Sequence, residues 1–423
     1  MHKWLKDHLL QLNLVDTMNQ PNGFTRLGYT IEENQSIAVF EEIAKKLGLH
    51  VRSDQAGNMI ARWEGMSTDL PAVAVGSHLD TVASGGGYDG TAGVLCALGA
   101  MKQLKDEGYQ PTHPLEVIVF RSEESSRFAI STIGSKAMAG LLNLQMGNVQ
   151  DSTGTSIQEA VASIGFKWDE FSQAERTKEE LKSFLELHIE QGTILQENNK
   201  DYGVVYGIAC PIRLKVKVTG LAGHTGTSPM HGRRDALVAI APLISFVSDT
   251  AKQLSEDNAT PVVATVSTIE AKPNAMNVIP GYVEVGIDIR SVDDSLKKIV
   301  ERNIRMKCEE LEQSYYVTIQ IEKLVDNRSV FLDQNIQQQL QKAGSEIDYS
   351  YLNMNSGAGH DVMNMAQKWP SGLIFIPCKD GLSHHPNEHA SLKDLQLGVD
   401  IIARFLKLEA GGMNESTSRG SRA

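Results

Sequence analysis

The sequence predicts an α/β protein in which a smaller domain of ferredoxin-like βαββαβ order is inserted into a larger domain. The chain has 423 residues, which is too long for one comfortable core. Strand and helix patterns alternate between residues 30 and 120, whereas the strands that follow residue 212 have one apolar and one polar face. We therefore assign 1–211 and 327–410 to the larger domain and 212–326 to the insertion, which would act as a lid.

The larger domain is predicted to begin with a helix between Thr30 and Gly48. Thr30 and Glu33 form a capping box, apolar residues follow at helical spacing, and glycine is a common C-terminal stop. The next elements are strands at 58–63 and 72–75, a helix at 93–105 and a strand at 115–120. This alternation is typical of a sheet covered on both faces, and such sheets bind ligands at the carboxyl ends of their strands.

The insertion begins with strict alternation of apolar and polar residues from Ile212 to Val218, which predicts a strand with one solvated face. Four more elements and a final strand follow, with Ser291 as the cap of the second helix. Their predicted positions are a helix at 235–247, strands at 261–269 and 282–289, a helix at 294–313 and a strand at 316–321. This is the order of a ferredoxin-like unit.

Composition and charge limit the partners of the protein. The net charge of −12 and the lack of a Lys/Arg stripe exclude nucleic acid as a partner, so we expect a small-molecule substrate. The N-terminus is charged and no apolar run approaches the length of a membrane span, which predicts a cytoplasmic protein. The four cysteines lie far apart and are interpreted as buried small hydrophobes. Residues 411–423 are polar and rich in Gly and Ser, which predicts a disordered tail.

Carboxylates and imidazoles recur where the predicted strands end. They lie in five short stretches, at residues 76–80, 84–91, 121–125, 187–192 and 381–388. A single His or Asp at a strand end is usually a structural residue, but several such clusters at one edge of a sheet indicate a catalytic metal site. Because the donors are nitrogen and oxygen without thiolate, we expect zinc, manganese or cobalt.

Two of these stretches indicate how metal ligands would be held. In 76–80, the carboxylate of Asp80 can turn onto the ring nitrogen of His78 that does not bind metal. In 84–91, the glycines let Asp89 approach two cations closely enough to bridge them. A phosphate cradle is the alternative for this glycine-rich stretch, but it matches no phosphate-binding fingerprint and Asp89 would repel phosphate.

The remaining stretches supply further acids and imidazoles. Glu123 and Glu124 follow the strongest predicted strand, and we expect one to bind metal while the other takes a proton from water. A solvated surface is the alternative for this pair. His188 and His384 are the last candidate ligands, although the apolar neighbours of His188 also suit a core histidine.

Together these residues resemble the hydantoinase/carbamoylase amidase family, which contains N-carbamoyl-L-amino acid hydrolases, allantoate amidohydrolases and β-ureidopropionase-type enzymes. The family is related to the di-zinc aminoacylases and carboxypeptidases. The matching motifs run in order from about Gly23 to Leu406, at 76–80, Asp89, 123–124, 188–192, 223–226, 277–280 and 381–384. The resemblance implies a di-metal exopeptidase-like catalytic domain with an inserted lid/dimerisation domain, and hence a homodimer.

The resemblance also implies roles for individual residues. Two divalent metal ions per subunit would be held, one by His78, Asp89 and His188 and the other by Asp89, Glu124 and His384. Glu123 would be the general base. Asn277 and Arg290 would bind a substrate carboxylate, His224 would stabilise the oxyanion, and Gln191, Gly359 and His360 would complete the pocket. The alternatives are a surface strand residue for Arg290 and a turn residue for Asn277.

The expected reaction is cleavage of the carbamoyl C–N bond of an N-carbamoyl-L-amino acid, with release of carbon dioxide, ammonia and the amino acid. The nearest alternative is an allantoate amidohydrolase. In the resembling family, allantoate enzymes carry paired arginines where this chain has Ile212 and Arg213, which favours the carbamoylase. Further alternatives are an N-acyl amino acid amidase, a dipeptidase, and a metal-free binding protein on the same scaffold. The presence of all five candidate ligands argues against the last.

Overall fold

A computed structural model describes residues 1–414 of the chain, which divide into two units. Unit 1 comprises Met1–Tyr206, Leu332–Met354 and the residues from His360 onward, and unit 2 comprises Gly207–Phe331 and Asn355–Gly359. Each unit has an apolar core of its own. The α/β fold class predicted from the sequence is confirmed.

Unit 1 opens with two helices and continues with strands and helices in alternation. Its first elements are α1 (His2–Leu12), α2 (Ile31–Lys46), β1 (His50–Ser53), β2 (Met59–Trp63), β3 (Ala72–His78), α3 (Thr91–Asp106), β4 (Tyr109–Pro111), β5 (Leu115–Phe120), α4 (Ile133–Ala139), α5 (Ile157–Ser163), β6 (Leu181–Ile189), α6 (Ile194–Glu197) and β7 (Tyr202–Ile208).

The chain then forms unit 2 and afterwards returns to unit 1. The elements that follow β7 are β8 (Ile212–Thr219), β9 (Gly223–His224), α7 (Ala236–Asp257), β10 (Val263–Lys272), β11 (Val278–Ile279), β12 (Tyr282–Arg290), α8 (Asp294–Tyr315), β13 (Thr318–Asp326) and β14 (Val330–Phe331). The last elements are α9 (Gln334–Ser345), β15 (Tyr351–Ser356), α10 (Val362–Met365), β16 (Ser371–Ile376), α11 (Leu392–Ala410) and β17 (Gly412–Asn414).

The main sheet of unit 1 places β1, β2, β5, β3, β6, β16 and β7 side by side. Its centre is parallel, because β3 pairs in parallel with β5 and β6, and β6 pairs in parallel with β16. β3 and β5 are buried along their whole length, as expected for strands covered on both faces. In this register His78 lies beside Phe120, and His188 lies beside Phe375. The residues that follow β3, β5 and β6 are therefore delivered to one edge of the sheet.

The sheet of unit 2 is antiparallel, with the strand order β10, β12, β8, β13. Along the chain the main elements run β8, α7, β10, β12, α8, β13, which is the ferredoxin-like order. Among the described residues, α7 is the one helix long and apolar enough to span a membrane by length and composition, with a mean hydropathy of 1.2. Its residues Ala239, Ile240, Leu243 and Val247 lie in the core of unit 2.

Two predicted caps are wrong in detail. Asp293, not Ser291, caps α8, because its carboxylate accepts from the backbone N–H of Ser295 and the Ser291 hydroxyl donates to a backbone carbonyl instead. Thr30 caps α2, but Glu33 does not complete a capping box. Its carboxylate is used by Arg121 and by backbone N–H groups outside the helix.

Two other predictions concern the chain end and the cysteines. Residues 412–414 pair with β4, so the start of the predicted disordered tail is a strand, and the rest of the tail lies outside the described residues. All four cysteines are free and buried, as predicted. Burial raises the pKa of Cys308 and Cys378 to about 12, and it raises the pKa of Cys96 and Cys210 as well.

Candidate active site

The carboxylate of Asp89 lies between three of the predicted ligands. Its Oδ1 is 3.4 Å from Nε2 of His78 and 2.9 Å from Nε2 of His188, whereas its Oδ2 is 3.4 Å from Nε2 of His384. The same nitrogen of His384 is 3.2 Å from Oε1 of Glu124. All five side chains belong to unit 1 and form two groups that share Asp89, each with its candidate ligand atoms within 4.8 Å of one another.

The orientation of two histidines fits cation binding. Nδ1 of His78 is 3.0 Å from the backbone oxygen of Asp80, and Nδ1 of His188 is 2.8 Å from that of Ile189. Because a carbonyl oxygen can only accept, Nδ1 carries a proton in both rings, and Nε2 is the nitrogen that faces Asp89 and that a cation would bind after displacing its proton. This donor set, made of imidazole nitrogen and carboxylate oxygen, suits zinc, manganese or cobalt.

A glycine brings Asp89 close to His78. Gly90 has a φ of +62°, and a Cβ atom at this position would lie 2.5 Å from Cε1 of the His78 ring. Glycine therefore meets both the backbone conformation and the close approach. Helix α3 begins at the next residue, Thr91.

Asp80 organises the two adjacent glutamates. Its Oδ1 accepts a 3.0 Å hydrogen bond from the backbone N–H of Glu123, and its Oδ2 accepts a 2.9 Å bond from that of Glu124. This carboxylate was also expected to serve the ring of His78, and its Oδ1 lies 3.5 Å from Nδ1 of that ring, with the backbone oxygen of Asp80 closer, at 3.0 Å. The carboxylate thus acts chiefly on the turn after β5.

Burial and nearby charges shift the pKa values of Glu123 and Asp89 in opposite directions. Burial raises the pKa of Glu123 well above its ordinary value, against the opposing effect of His78 and with the support of Glu124. A carboxyl with a raised pKa is suited to accepting and returning a proton near neutral pH. Burial alone would raise the pKa of Asp89 also, but the surrounding imidazoles, His188 foremost, hold it well below its ordinary value. Asp89 is therefore ionised, as a ligand must be.

A buried ion pair that the sequence did not predict supports the turn carrying the glutamates. Nη1 of Arg121 donates to Oε2 of Glu33 over 2.8 Å, and the backbone N–H of Ser122 donates to Oε1 over 3.0 Å. Ser122 has a φ of +50°, so this turn uses an unfavourable backbone conformation just before Glu123. The acid at position 33 was visible in the sequence, but nothing there indicated a partner so far along the chain.

Two predicted pocket residues lie beside these groups in unit 1. Nε2 of Gln191 donates to Oδ2 of Asp89 over 2.7 Å and to the hydroxyl of Ser383 over 3.1 Å. The ring of His360 is buried, with its centroid 4.6 Å from that of His188. Burial lowers the pKa of His360 well below its ordinary value, so the ring is neutral.

The other predicted substrate-binding residues belong to unit 2, where they form two separate groups. His224 pairs with Val278 between β9 and β11, and the backbone oxygen of exposed Asn277 accepts from the N–H of Thr225. In the other group, Nη1 of Arg290 donates to the backbone oxygen of Gly357 over 2.6 Å. Exposed Gly359 follows two residues later.

Arg290 already has a carboxylate partner, which the sequence did not predict. Its Nε donates to Oδ1 of Asp288 over 2.7 Å, and Asp288 also accepts from Nε of Arg213 over 2.8 Å. Nη2 of Arg290 also donates to Oδ2 of Asp288 over 3.3 Å, so a substrate carboxylate would have to use the remaining N–H groups of the two terminal nitrogens. One signal in the sequence could have revealed the pair of Asp288 and Arg290, because residues i and i+2 of a strand share a face. The pairing of Arg213 with Asp288 follows from the register of the two strands in the structure.

The chain is similar to known proteins over most of its length. The model of peptidase family M20/M25/M40 matches residues 74–408. The N-carbamoyl-L-amino-acid amidohydrolase of Paenarthrobacter aurescens is 36% identical over 91% of this chain and 93% of its own length. The ureidoglycolate hydrolase of Oryza sativa is 37% identical over 90% and 79%, and the allantoate amidohydrolase of Escherichia coli is 34% identical over 91% and 92%.

A solved structure gives the same result for the fold. The hydantoinase/carbamoylase family amidase of Burkholderia multivorans superposes with a TM-score of 0.86 at 31% identity, covering 97% of this chain and 98% of that one.

Proposed function

Since this chain belongs to peptidase family M20/M25/M40 and to its hydantoinase/carbamoylase amidases, we propose that it hydrolyses the carbamoyl C–N bond of N-carbamoyl-L-amino acids. The family makes the chain a hydrolase, and the carbamoyl substrate is our finer assignment. One observation carries the proposal: Asp89 directs its two carboxylate oxygens at different histidine groups, with Glu123 beside them.

We propose that two divalent cations are held at these groups. His78, Asp89 and His188 would hold one, and Asp89, Glu124 and His384 the other, with zinc, manganese or cobalt as the suitable ions. When bound, such cations lower the pKa of water and polarise a carbonyl oxygen.

Glu123 is the proposed general base. It would take a proton from the water that attacks the carbamoyl carbon and deliver it to the nitrogen that leaves when the C–N bond breaks. Its burial and the bond from its backbone to Asp80 support this role, because they fix the carboxylate beside His78 with an Oε2 to Nε2 distance of 3.9 Å. The carbamic acid formed in this step then breaks its remaining C–N bond and releases carbon dioxide, so one water is consumed for each carbon dioxide, ammonia and amino acid released.

Six residues are proposed to bind the substrate. Arg290 and Asn277 would bind the substrate carboxylate, since a guanidinium edge and an amide both donate to it. His224 would stabilise the negative charge that develops on the carbonyl oxygen. Gln191, Gly359 and His360 would complete the pocket.

Allantoate is the principal alternative substrate, and ureidoglycolate follows from the rice relative. Allantoate carries a second ureido group, which needs additional donors. At the position where the resembling allantoate enzymes have paired arginines, this chain has the buried apolar Ile212 beside Arg213, whose Nε donates to Asp288. The lack of a second guanidinium at position 212 favours the carbamoylase.

We further propose that the protein is a cytoplasmic homodimer. β10 lies at an edge of the unit 2 sheet and exposes Val263 and Ile269, and α7 exposes Val238. An unpaired strand edge with apolar side chains is a surface that a second copy can cover. Free, buried cysteines suit a reducing compartment. Sedimentation should give a dimer, and Val263→Lys should shift it toward monomer; a wild-type monomer would contradict the proposal.

A substrate panel tests the function. Protein loaded in turn with zinc, manganese or cobalt would be assayed on N-carbamoyl-L-amino acids, allantoate, ureidoglycolate, N-acetyl amino acids and dipeptides, with ammonia or amine release as the readout. We expect the highest kcat/KM on an N-carbamoyl-L-amino acid. A higher kcat/KM on allantoate or ureidoglycolate would make that compound the substrate instead of an N-carbamoyl-L-amino acid. Activity on N-acetyl amino acids or dipeptides alone would show that the protein does not act on ureido groups.

A further inference from the structure

Glu388 is a buried acid that the proposed mechanism does not use. Its side chain is only 5% exposed, and its Oε1 accepts from two consecutive backbone N–H groups, those of Tyr88 at 2.8 Å and Asp89 at 2.9 Å. Asp89 is the residue shared by both cation groups. The carboxylate of Glu388 therefore fixes the stretch of backbone from which the shared ligand extends.

The loop that carries Glu388 also carries His384, and it is joined to the Asp89 loop at further points. The hydroxyl of Ser383 lies 2.9 Å from Oδ2 of Asp89 and 3.2 Å from Oε2 of Glu388. The hydroxyl of Tyr88 lies 3.1 Å from Nδ1 of His389. These bonds join the two loops from both sides of Glu388, so a shift of one loop would be transmitted to the other.

Gly86 leaves room for the Glu388 carboxylate. A Cβ atom at position 86 would lie 2.2 Å from both Cδ and Oε1 of Glu388, and its three nearest atoms all belong to this side chain. An alanine at position 86 would thus displace the carboxylate without removing it.

From these contacts we infer that Glu388 is a positioning residue that holds Asp89 and His384 together for the second cation group. This inference rests on the proposed function. The first group should depend on it less, because His78 and His188 are buried at strand ends and bonded to backbone carbonyls. The side chain of His384 is 49% exposed and lies in a loop, so its position depends on the contacts of that loop.

The test compares cation binding by Glu388→Ala, Glu388→Gln and a control, Glu409→Ala. Glu409 is also a buried glutamate, but it lies in α11, accepts from the side chain of Gln339 in α9 and pairs with Lys182, all away from the ligand loops. Wild-type protein reconstituted with zinc should contain two ions per chain by mass spectrometry. Glu388→Ala should retain one tightly, with its affinity for the other about 10–100-fold weaker by chelator competition, which is the usual scale for loss of a group that orients a ligand.

The conservative variant separates positioning from general damage to the fold. The amide oxygen of Glu388→Gln can still accept from both backbone N–H groups, so this variant should bind two ions with affinities close to wild type. Glu409→Ala should do the same. Gly86→Ala should reproduce the weakened second ion, and it supplies the test if Glu388→Ala is insoluble.

Three results would overturn the inference. Two tightly bound ions in Glu388→Ala would show that Glu388 positions neither loop, and equal loss of both ions would show that its effect is not specific to the second group. Wild-type protein that binds no divalent ion would overturn the proposed function and this inference together. The first two results leave the wild-type metal centre intact, so the two failures are distinguishable.

Discussion

The backbone N–H of Glu123 donates a 3.0 Å hydrogen bond to Oδ1 of Asp80. Asp80 follows β3 and Glu123 follows β5, and these two strands are neighbours in the sheet. The other oxygen of the same carboxylate binds the next backbone N–H, that of Glu124. One buried acid thus sets the separation between a proposed base and a proposed ligand. The spacing follows from the parallel pairing of β3 with β5, which ends both strands at the same level.

Replacing the base tests its role directly. Glu123→Gln keeps the shape of the side chain but cannot accept a proton, so we expect turnover to fall by at least ~10²-fold. Metal content, measured by mass spectrometry, should not change. Near-normal turnover in this variant would remove Glu123 from the mechanism.

Asp80→Asn should disturb the same turn without touching the base. The new amide nitrogen would face a backbone N–H of Glu123 or Glu124, which leaves two donors opposed. We expect kcat/KM to fall by about 10–100-fold. Asp54→Asn is the matched control, because Asp54 is also buried and accepts from two backbone N–H groups, those of Ala56 and Asn58. Equal effects of both variants would point to general destabilisation.

Chelation should abolish hydrolysis and lower Tm, and zinc, manganese or cobalt should restore both. A ligand that binds only the folded chain stabilises it, and unaided water is too weak an acid for the reaction. Full activity in protein verified to be metal-free would end the two-cation proposal.

Cation binding should also release protons. In the metal-free protein, hydrogen bonds to Asp89 and Glu124 raise the pKa of His384 to about 10. Below this pKa the ring is protonated, and a cation must displace that proton to use Nε2, so affinity should rise with pH up to about 10. Calorimetry in buffers of different ionisation enthalpy measures the release. Binding heats independent of the buffer at pH 7.5 would contradict it.

Variants of Arg290 test its proposed contact with the substrate carboxylate. Arg290→Ala should reduce kcat/KM by about 30-fold or more, since losing the partner of a desolvated charge typically costs ~2–5 kcal/mol. Arg290→Lys should also weaken binding, because it lacks the planar fork. Arg213→Ala is the control, as Arg213 bonds to the same Asp288 but has no proposed substrate contact. Substrates with an amide in place of the carboxylate should be insensitive to all three changes.

The candidate ligands could be predicted because their position depends on local rules. An apolar run predicts a buried strand, parallel strands end at one edge, and polar residues just beyond them meet there. His78 and His188 follow this logic, and so do the glutamates after β5. Helix ends were less accurate: α7 continues beyond Val247 to Asp257, because its buried face extends to Ala251.

Contacts between distant segments could not be predicted in the same way. Glu33 pairs with Arg121, and Glu388 binds the backbone of Asp89, across long stretches of chain. A single sequence contains no information on which buried acid meets which donor, because many placements satisfy the same need for a partner. Helix α1 was also missed, although Leu5, Leu9 and Leu12 lie at helical spacing and are buried.

The buried cysteines have a practical consequence for solution measurements. Their pKa values are raised and their sulfur atoms are shielded, so maleimide or nitroxide reagents should react slowly with the native chain. A cysteine introduced at exposed Met66 in unit 1, together with one at exposed Met306 in unit 2, would then be labelled selectively without removing the natural thiols. Fluorescence transfer or electron spin resonance between the two labels would report the separation of the units with and without substrate.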